Sequence, residues 1–122
     1  MDDLFEPFEV AAIAAAVRSL KADLGDDVRI GLFGSRARRD HRPESDFDVL
    51  CLIPDGLTVN FGVVEDNVVE AMEALGGLAN VQFVPESRLE YLYFEFAYLP
   101  GAIRDMVDVT GMSDSHAVPG IR

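Results

Sequence analysis

The sequence predicts a small α/β or α+β domain, and three observations carry that prediction. Two stretches repeat apolar residues every three or four positions, as an amphipathic helix does. Three shorter stretches are apolar and β-rich. They alternate as helix, strand, strand, helix, strand, and a last short helix follows. The length of 122 residues fits one domain, and 49% apolar with 26% charged residues is an ordinary globular balance. A chain this long buries a core without disulfide or metal staples.

The first helix spans roughly residues 8–24. Val10, Ile13, Val17, Leu20 and Leu24 make its apolar face, Pro7 suits its first turn and Gly25 follows its end. Residues 28–33, VRIGLF, read as a strand. Residues 34–45 are polar and Arg-rich, a loop with room for one helical turn. Residues 46–53, DFDVLCLI, open with two acids and continue unbroken apolar, which suits a central strand covered on both faces. Pro54, Asp55 and Gly56 form a turn. Phe61, Val64, Val68, Met72 and Leu75 give the second helical stripe, stopped by Gly76 and Gly77. Residues 80–84, NVQFV, are a short third strand.

Residues 87–98, SRLEYLYFEFAY, fit strand as well as helix, because aromatic residues favour strands. As a helix, Leu89, Leu92, Tyr93 and Phe96 form one stripe, and Tyr91, Phe94 and Tyr98 a second. A helix apolar around most of its circumference must be covered. One side packs on the sheet; a homodimer, a partner chain or the chain's own tail covers the other. Residues 102–110 read as the last short helix, and the tail beyond Gly111 as frayed.

Charge narrows the function classes. The formal net charge is −12, from 10 Lys+Arg against 22 Asp+Glu. Such a field repels nucleic acid and argues against a general DNA- or RNA-binding role. The single cysteine, Cys51, excludes an internal disulfide and a Cys-based zinc site, and reads as a core residue rather than a nucleophile. The acidic start MDDLFEPFEV is unlike a signal peptide, and no apolar run reaches membrane-spanning length. A cytoplasmic protein is expected. Five of the ten basic residues, Arg29, Arg36, Arg38, Arg39 and Arg42, fall within residues 29–42, where Asp40 is the sole acid. A cationic spot of arginines on an acidic chain suits a small phosphorylated ligand, although a solvated loop has the same composition.

The chemistry concentrates in residues 31–53, GLFGSRARRDHRPESDFDVLCLI. Gly34 and Ser35 turn the chain at a strand end, where glycine lets successive N–H groups converge on phosphate oxygens. Alone, Gly-Ser is more often a plain turn. Neither G-x-x-x-x-G-K-[ST] nor G-x-G-x-x-G is present, so P-loop and dinucleotide-fold readings fail. Asp46 and Asp48 alternate on a strand, which puts both carboxylates on one side with α-carbons roughly 7 Å apart. Two carboxylates so placed bind Mg²⁺ together with water and phosphate oxygens. A bare D-x-D is more often a solvated strand end.

Taken together, the two elements spell G-S-x10-D-x-D across adjacent strands. In this pattern the chain resembles the minimal nucleotidyltransferases of the DNA polymerase beta-like superfamily. Ala37-Arg38 after Gly34-Ser35 and Ser45 before the acid pair extend the match. It is strong at residues 31–53 and weaker across roughly 9–111, where IRDMVDVTG at 103–111 looks like the family's terminal helix. The resemblance implies a small mixed sheet flanked by helices, with residues 1–111 as the nucleotidyltransferase-like domain and 112–122 as a C-terminal tail. It implies transfer of a nucleoside monophosphate from an NTP, typically ATP, to a hydroxyl, releasing pyrophosphate. Gly34, Ser35, Arg36 and Arg38 would bind the nucleotide. Asp46 and Asp48 would be catalytic and hold Mg²⁺ or Mn²⁺.

Two positions depart from the family pattern. Arg39 stands where the family usually has glycine. Gln82, in Val81-Gln82-Phe83-Val84, stands where the family's third strand carries a third carboxylate. An amide is a poor ligand for Mg²⁺ and takes no proton from a hydroxyl. Glu86, four residues on, is a substitute only if the chain folds back. His41 lies within the arginine loop, as a phosphate contact or a solvated side chain, and His116 lies in the tail.

Short members of the family are often antitoxins paired with a HEPN-type ribonuclease toxin, which they block by binding and by adding AMP to a tyrosine. The chain is expected to be such a transferase, its partner the toxin or a second copy through residues 89–98. The alternatives are a catalytically impaired pseudo-enzyme acting through protein contact, and a small-molecule nucleotidyltransferase of the aminoglycoside-modifying kind.

Overall fold

The computed structural model describes residues 4–88 and 105–112. Helix α1 (Pro7–Leu24) buries Val10, Ile13, Val17, Leu20 and Leu24, the stripe the spacing predicts. Glu9 reaches back to accept the Glu6 N–H at 2.9 Å, satisfying a donor at the helix start. Gly25 ends the helix at φ 93°. Strand β1 (Arg29–Phe33) leads into the single turn α2 (Ser35–Arg38), and strand β2 (Phe47–Ile53) follows the loop.

Helix α3 (Phe61–Glu73) is capped by Asn60, whose side-chain oxygen accepts the Gly62 and Val63 N–H groups. It buries Val64, Val68 and Met72. Leu75, expected on that stripe, falls past the helix end and is exposed. Strand β3 (Ala79–Pro85) and one 3-10 turn (Glu86–Arg88) come next.

Four strands form one sheet in the order β3-β2-β1-β4, where β4 is Val107–Asp108. β2 runs antiparallel to β1 and parallel to β3, so the sheet is mixed. One face, with Ile30, Leu32, Phe47, Val49, Cys51, Ile53 and Val81, joins α1 and α3 in the main core. Burying a side chain of this size contributes about 1.5–3 kcal/mol. The opposite face carries Phe33, Leu50, Leu52 and Val84, with Met106 against them. β2 is therefore the central, doubly covered strand its apolar run predicts.

The last helix, expected over residues 102–110, is corrected over its second half, while residues 102–104 lie outside the described residues. Val107–Asp108 is a strand beside β1, pairing Leu32 with Val107 and Gly31 with Asp108. The Val109 N–H donates to the Ile30 carbonyl, and Thr110 Oγ1 accepts the Ile30 N–H at 2.8 Å. Val107, Val109 and Thr110 are β-branched, and the open edge of β1 offers them a ladder that a lone helical turn lacks. Val109 and Met112 are buried, so the core continues past β4. The aromatic stripes at 89–98 and His116 lie outside the described residues. Among the described residues no helix is long and apolar enough to cross a membrane.

Candidate active site

The β1–β2 register places Phe33 opposite Asp48, so Gly34 follows at the same end of the sheet. Gly34 has φ 76° and ψ −157°, backbone that glycine adopts without strain. A Cβ there would collide with Asp48 Oδ2 and lie 3.1 Å from its Cγ. Glycine at this position therefore lets the turn close directly over the carboxylate. Ser35 opens α2, and the Gly34 carbonyl accepts the N–H groups of Ala37 and Arg38. Arg38 is exposed and pairs with Asp40 at 3.2 Å in solvent.

Asp46 is exposed just before β2, and Asp48 is half-buried on the face away from the helices. Burial pushes the Asp48 carboxyl above its usual range. The Asn80 hydrogen bond and the Arg38 charge oppose that shift, while the nearby Asp46 carboxylate adds to it. Asn80 is paired directly with Asp48 across β2 and β3, and its Nδ2 donates to Asp48 Oδ1 at 3.2 Å. Sequence reasoning missed Asn80, because only the β2–β3 register makes it the neighbour of Asp48. Gln82 pairs with Leu50, one step further along the same face. On the face that carries Asp48, the two β3 positions nearest it are therefore both amides.

Glu86 does not supply a third carboxylate. β3 is parallel to β2, with Ala79 beside Phe47 and Pro85 beside Ile53, so Glu86 lies at the far end of the strand from Asp48. Among the described residues no three His, Cys, Asp or Glu side chains gather into a metal-binding group. Asp46 and Asp48 have the donor chemistry of a Mg²⁺ site that would take its other ligands from phosphate and water, and they are near enough for the Asp46 charge to act on Asp48. They do not complete a three-carboxylate, two-metal arrangement.

Arg36 departs from the expected phosphate role. It is buried, and its three nitrogens donate to the Ser45 carbonyl (Nε, 3.0 Å), Glu9 Oε2 (Nη1, 2.9 Å) and the Pro43 carbonyl (Nη2, 3.1 Å). Its guanidinium stacks 4.1 Å from the centroid of the Phe47 ring. Glu9, fully buried, also accepts two bonds from Arg39, at 2.7 and 2.9 Å. Burial pushes the Glu9 carboxyl up, but the bonds from Arg39, the Glu6 N–H and Arg36 outweigh it and hold it down at about 2.

The sequence signal for Glu9 is a charged residue beside the apolar stripe of α1, three positions after Glu6. Arg39 has left-handed backbone at φ 69°, a conformation that suits glycine better than arginine. The cationic spot is correspondingly smaller than the composition suggests. Two of its arginines are bound to Glu9, and Arg29 lies at the opposite end of β1.

His41 is neither at a phosphate position nor solvated. Its side chain is largely buried, with Nε2 3.5 Å from Glu9 Oε2. Cys51 is a core residue, as expected, and burial pushes its thiol up to about 12, out of reach as a nucleophile at neutral pH.

The site is thus a glycine turn closed over the Asp48 carboxylate at one end of a mixed sheet. The family model for the nucleotidyltransferase domain matches residues 13–103, about three quarters of the chain. The protein belongs to that family. No curated protein and no solved structure matches it.

Proposed function

We propose that the protein binds a nucleoside triphosphate, with ATP the expected one, at the junction of Gly34, Ser35, Arg38, Asp46 and Asp48, and that it transfers the nucleoside monophosphate only slowly. The observation that carries this reading is the closure of the Gly34 turn over the Asp48 carboxylate. It sets the turn that this reading gives to phosphate against one of the two carboxylates that it gives to metal. A divalent cation held by Asp46 and Asp48 would neutralise triphosphate charge. The Gly34–Ser35 turn would offer hydrogen-bond donors to phosphate oxygens, and the exposed Arg38 would meet the departing pyrophosphate.

Transfer to a hydroxyl forms an oxygen–phosphorus bond at the α-phosphate, breaks the α–β bridge and releases the hydroxyl proton. Asn80 and Gln82 cannot accept that proton. The partner in this reading is a HEPN-type toxin, with the protein acting as its antitoxin by contact and by residual AMP transfer to a tyrosine. The −12 charge supports a basic partner.

The test is turnover of labelled ATP with Mg²⁺ onto a partner tyrosine or a free acceptor. Wild type is expected to be weak. Gln82→Asp is expected to raise the rate, since a placed general base is worth about 10²–10⁴-fold. Robust wild-type transfer unaffected by Gln82→Asp overturns the impairment.

A further inference from the structure

Ten residues separate Ser35 from Asp46, and a free loop of that length would not fix the distance between the two halves of the site. One side chain does. Arg36 follows Ser35 directly, so it moves with the phosphate turn. Its Nε donates to the carbonyl of Ser45, the residue before Asp46, and its plane lies on the ring of Phe47, the residue after it. It therefore grips both chain neighbours of Asp46. Its remaining nitrogens reach the Pro43 carbonyl and Glu9.

A guanidinium has a fixed fork, and the direction of one nitrogen sets the others. Glu9 receives Nη1 of Arg36 on Oε2 and both terminal nitrogens of Arg39 on its two oxygens. Arg39 also donates to the Arg36 carbonyl at 2.9 Å, which closes the ring of contacts. That bidentate clasp offsets the left-handed backbone of Arg39.

We propose that Glu9 is a positioning residue of the nucleotide site, acting through Arg36 and Arg39 to hold the Gly34–Ser35 turn at a fixed distance from Asp46. This rests on the nucleotide-binding reading above. Helix α1, which contributes no group to the phosphate or the metal, thereby sets the geometry of both.

The test is Arg36→Lys, which keeps the charge and can reach Glu9 but cannot also bridge the Ser45 and Pro43 carbonyls. Two readouts are compared at a temperature where the variant is folded: affinity for Mg-ATP by calorimetry, and amide hydrogen exchange. Affinity should fall about tenfold, equivalent to about 1.4 kcal/mol. The Asp40 and Ser45 amides, bonded to the Ser35 and Arg42 carbonyls, should exchange about tenfold faster, while Val49 and Cys51 in β2 stay unchanged. A merely structural Arg36 would speed exchange across the whole sheet and leave the affinity of the folded protein intact, which overturns the proposal.

Arg39→Gly is the second variant, because glycine accepts the left-handed backbone while releasing the clasp on Glu9; the same localised pattern is expected, at smaller size. Asn67→Ala, which removes a remote bond to Asp23, should change neither readout. If wild type binds no Mg-ATP, the nucleotide reading fails, and the exchange pattern alone decides whether Glu9 and Arg36 hold the loop.

Discussion

The two halves of the candidate site are built in opposite ways. The half proposed to bind phosphate sits on a buried cluster in which Glu9, Arg36 and Arg39 satisfy one another and two loop carbonyls. The half proposed to bind metal is sparse: Asp46 is exposed, and Asp48 has one hydrogen bond, from an amide, among the described residues. The first half is coupled to the stability of the domain and the second is nearly free of it. A change at Asp46 or Asp48 is therefore expected to alter ligand binding while leaving the protein folded. In the proposed function, Gln82 is a change of that kind.

The contrast breaks most visibly at Glu9. Glu9→Ala leaves Arg36 buried without its carboxylate, and breaking a buried pair costs about 3–5 kcal/mol. Urea unfolding should register that loss. Asp48→Ala should change stability by less than about 1 kcal/mol, because it removes a half-buried carboxylate that Asp46 already repels. In calorimetric titration the same Asp48→Ala should abolish metal-dependent ATP binding. Equal stability losses in the two variants would erase the distinction between the halves.

Acid titration sharpens it next. Glu9 is held at about 2 in the folded protein against an ordinary value of 4.5. A carboxyl lowered on folding contributes stability above its unfolded value, and that contribution is lost as pH falls toward the folded one. Wild type should lose about 3 kcal/mol between about pH 5 and pH 2 from this group alone. In Glu9→Gln, thermal melts over that range should be flatter.

Gly34→Ala reaches both halves at once. The new Cβ meets Asp48 Oδ2 and stands on left-handed backbone, a strain of about 1–2 kcal/mol. The melting temperature should drop modestly, and Mg-ATP affinity should drop more than the melting temperature implies. The smallest effect is expected from Asn80→Ala. Removing its hydrogen bond takes away an influence that lowers the Asp48 carboxyl, so the midpoint of metal binding should move to higher pH. A midpoint that moves down or stays fixed would show that Asn80 does not act on Asp48.

The elements were legible because their signals are local. The stripe from Val10 to Leu24 and the unbroken run from Val49 to Ile53 give helix and strand within a residue or so of their ends. Gly34 and Asp48 were legible as a pair because their spacing matches a family pattern. What could not be read depends on contacts across the chain. A glutamate at the start of an amphipathic helix looks like a solvated cap, and only the returning loop makes Glu9 the counter-ion of Arg36 and Arg39. The same fold-back turns Arg36 from a phosphate donor into a strut. Val107–Asp108 is too short to declare itself a strand, and its pairing with β1 decides it.

The antiparallel register of β1 and β2 also bears on which changes in chain length the site survives. Strand residues alternate between faces, so the position of Asp48 is a matter of parity. Deleting one residue between Phe47 and Ile53 would turn a neighbour of Asp48 toward the turn and swing the remaining carboxylate side into the packed core. A deletion of two would restore the alternation while shortening the strand. Length changes between Asp40 and Arg42 touch no strand and leave that parity alone. Along β2 a single deletion should therefore cost more than a double one, an odd–even rule that a deletion series read by Mg-ATP binding would reveal.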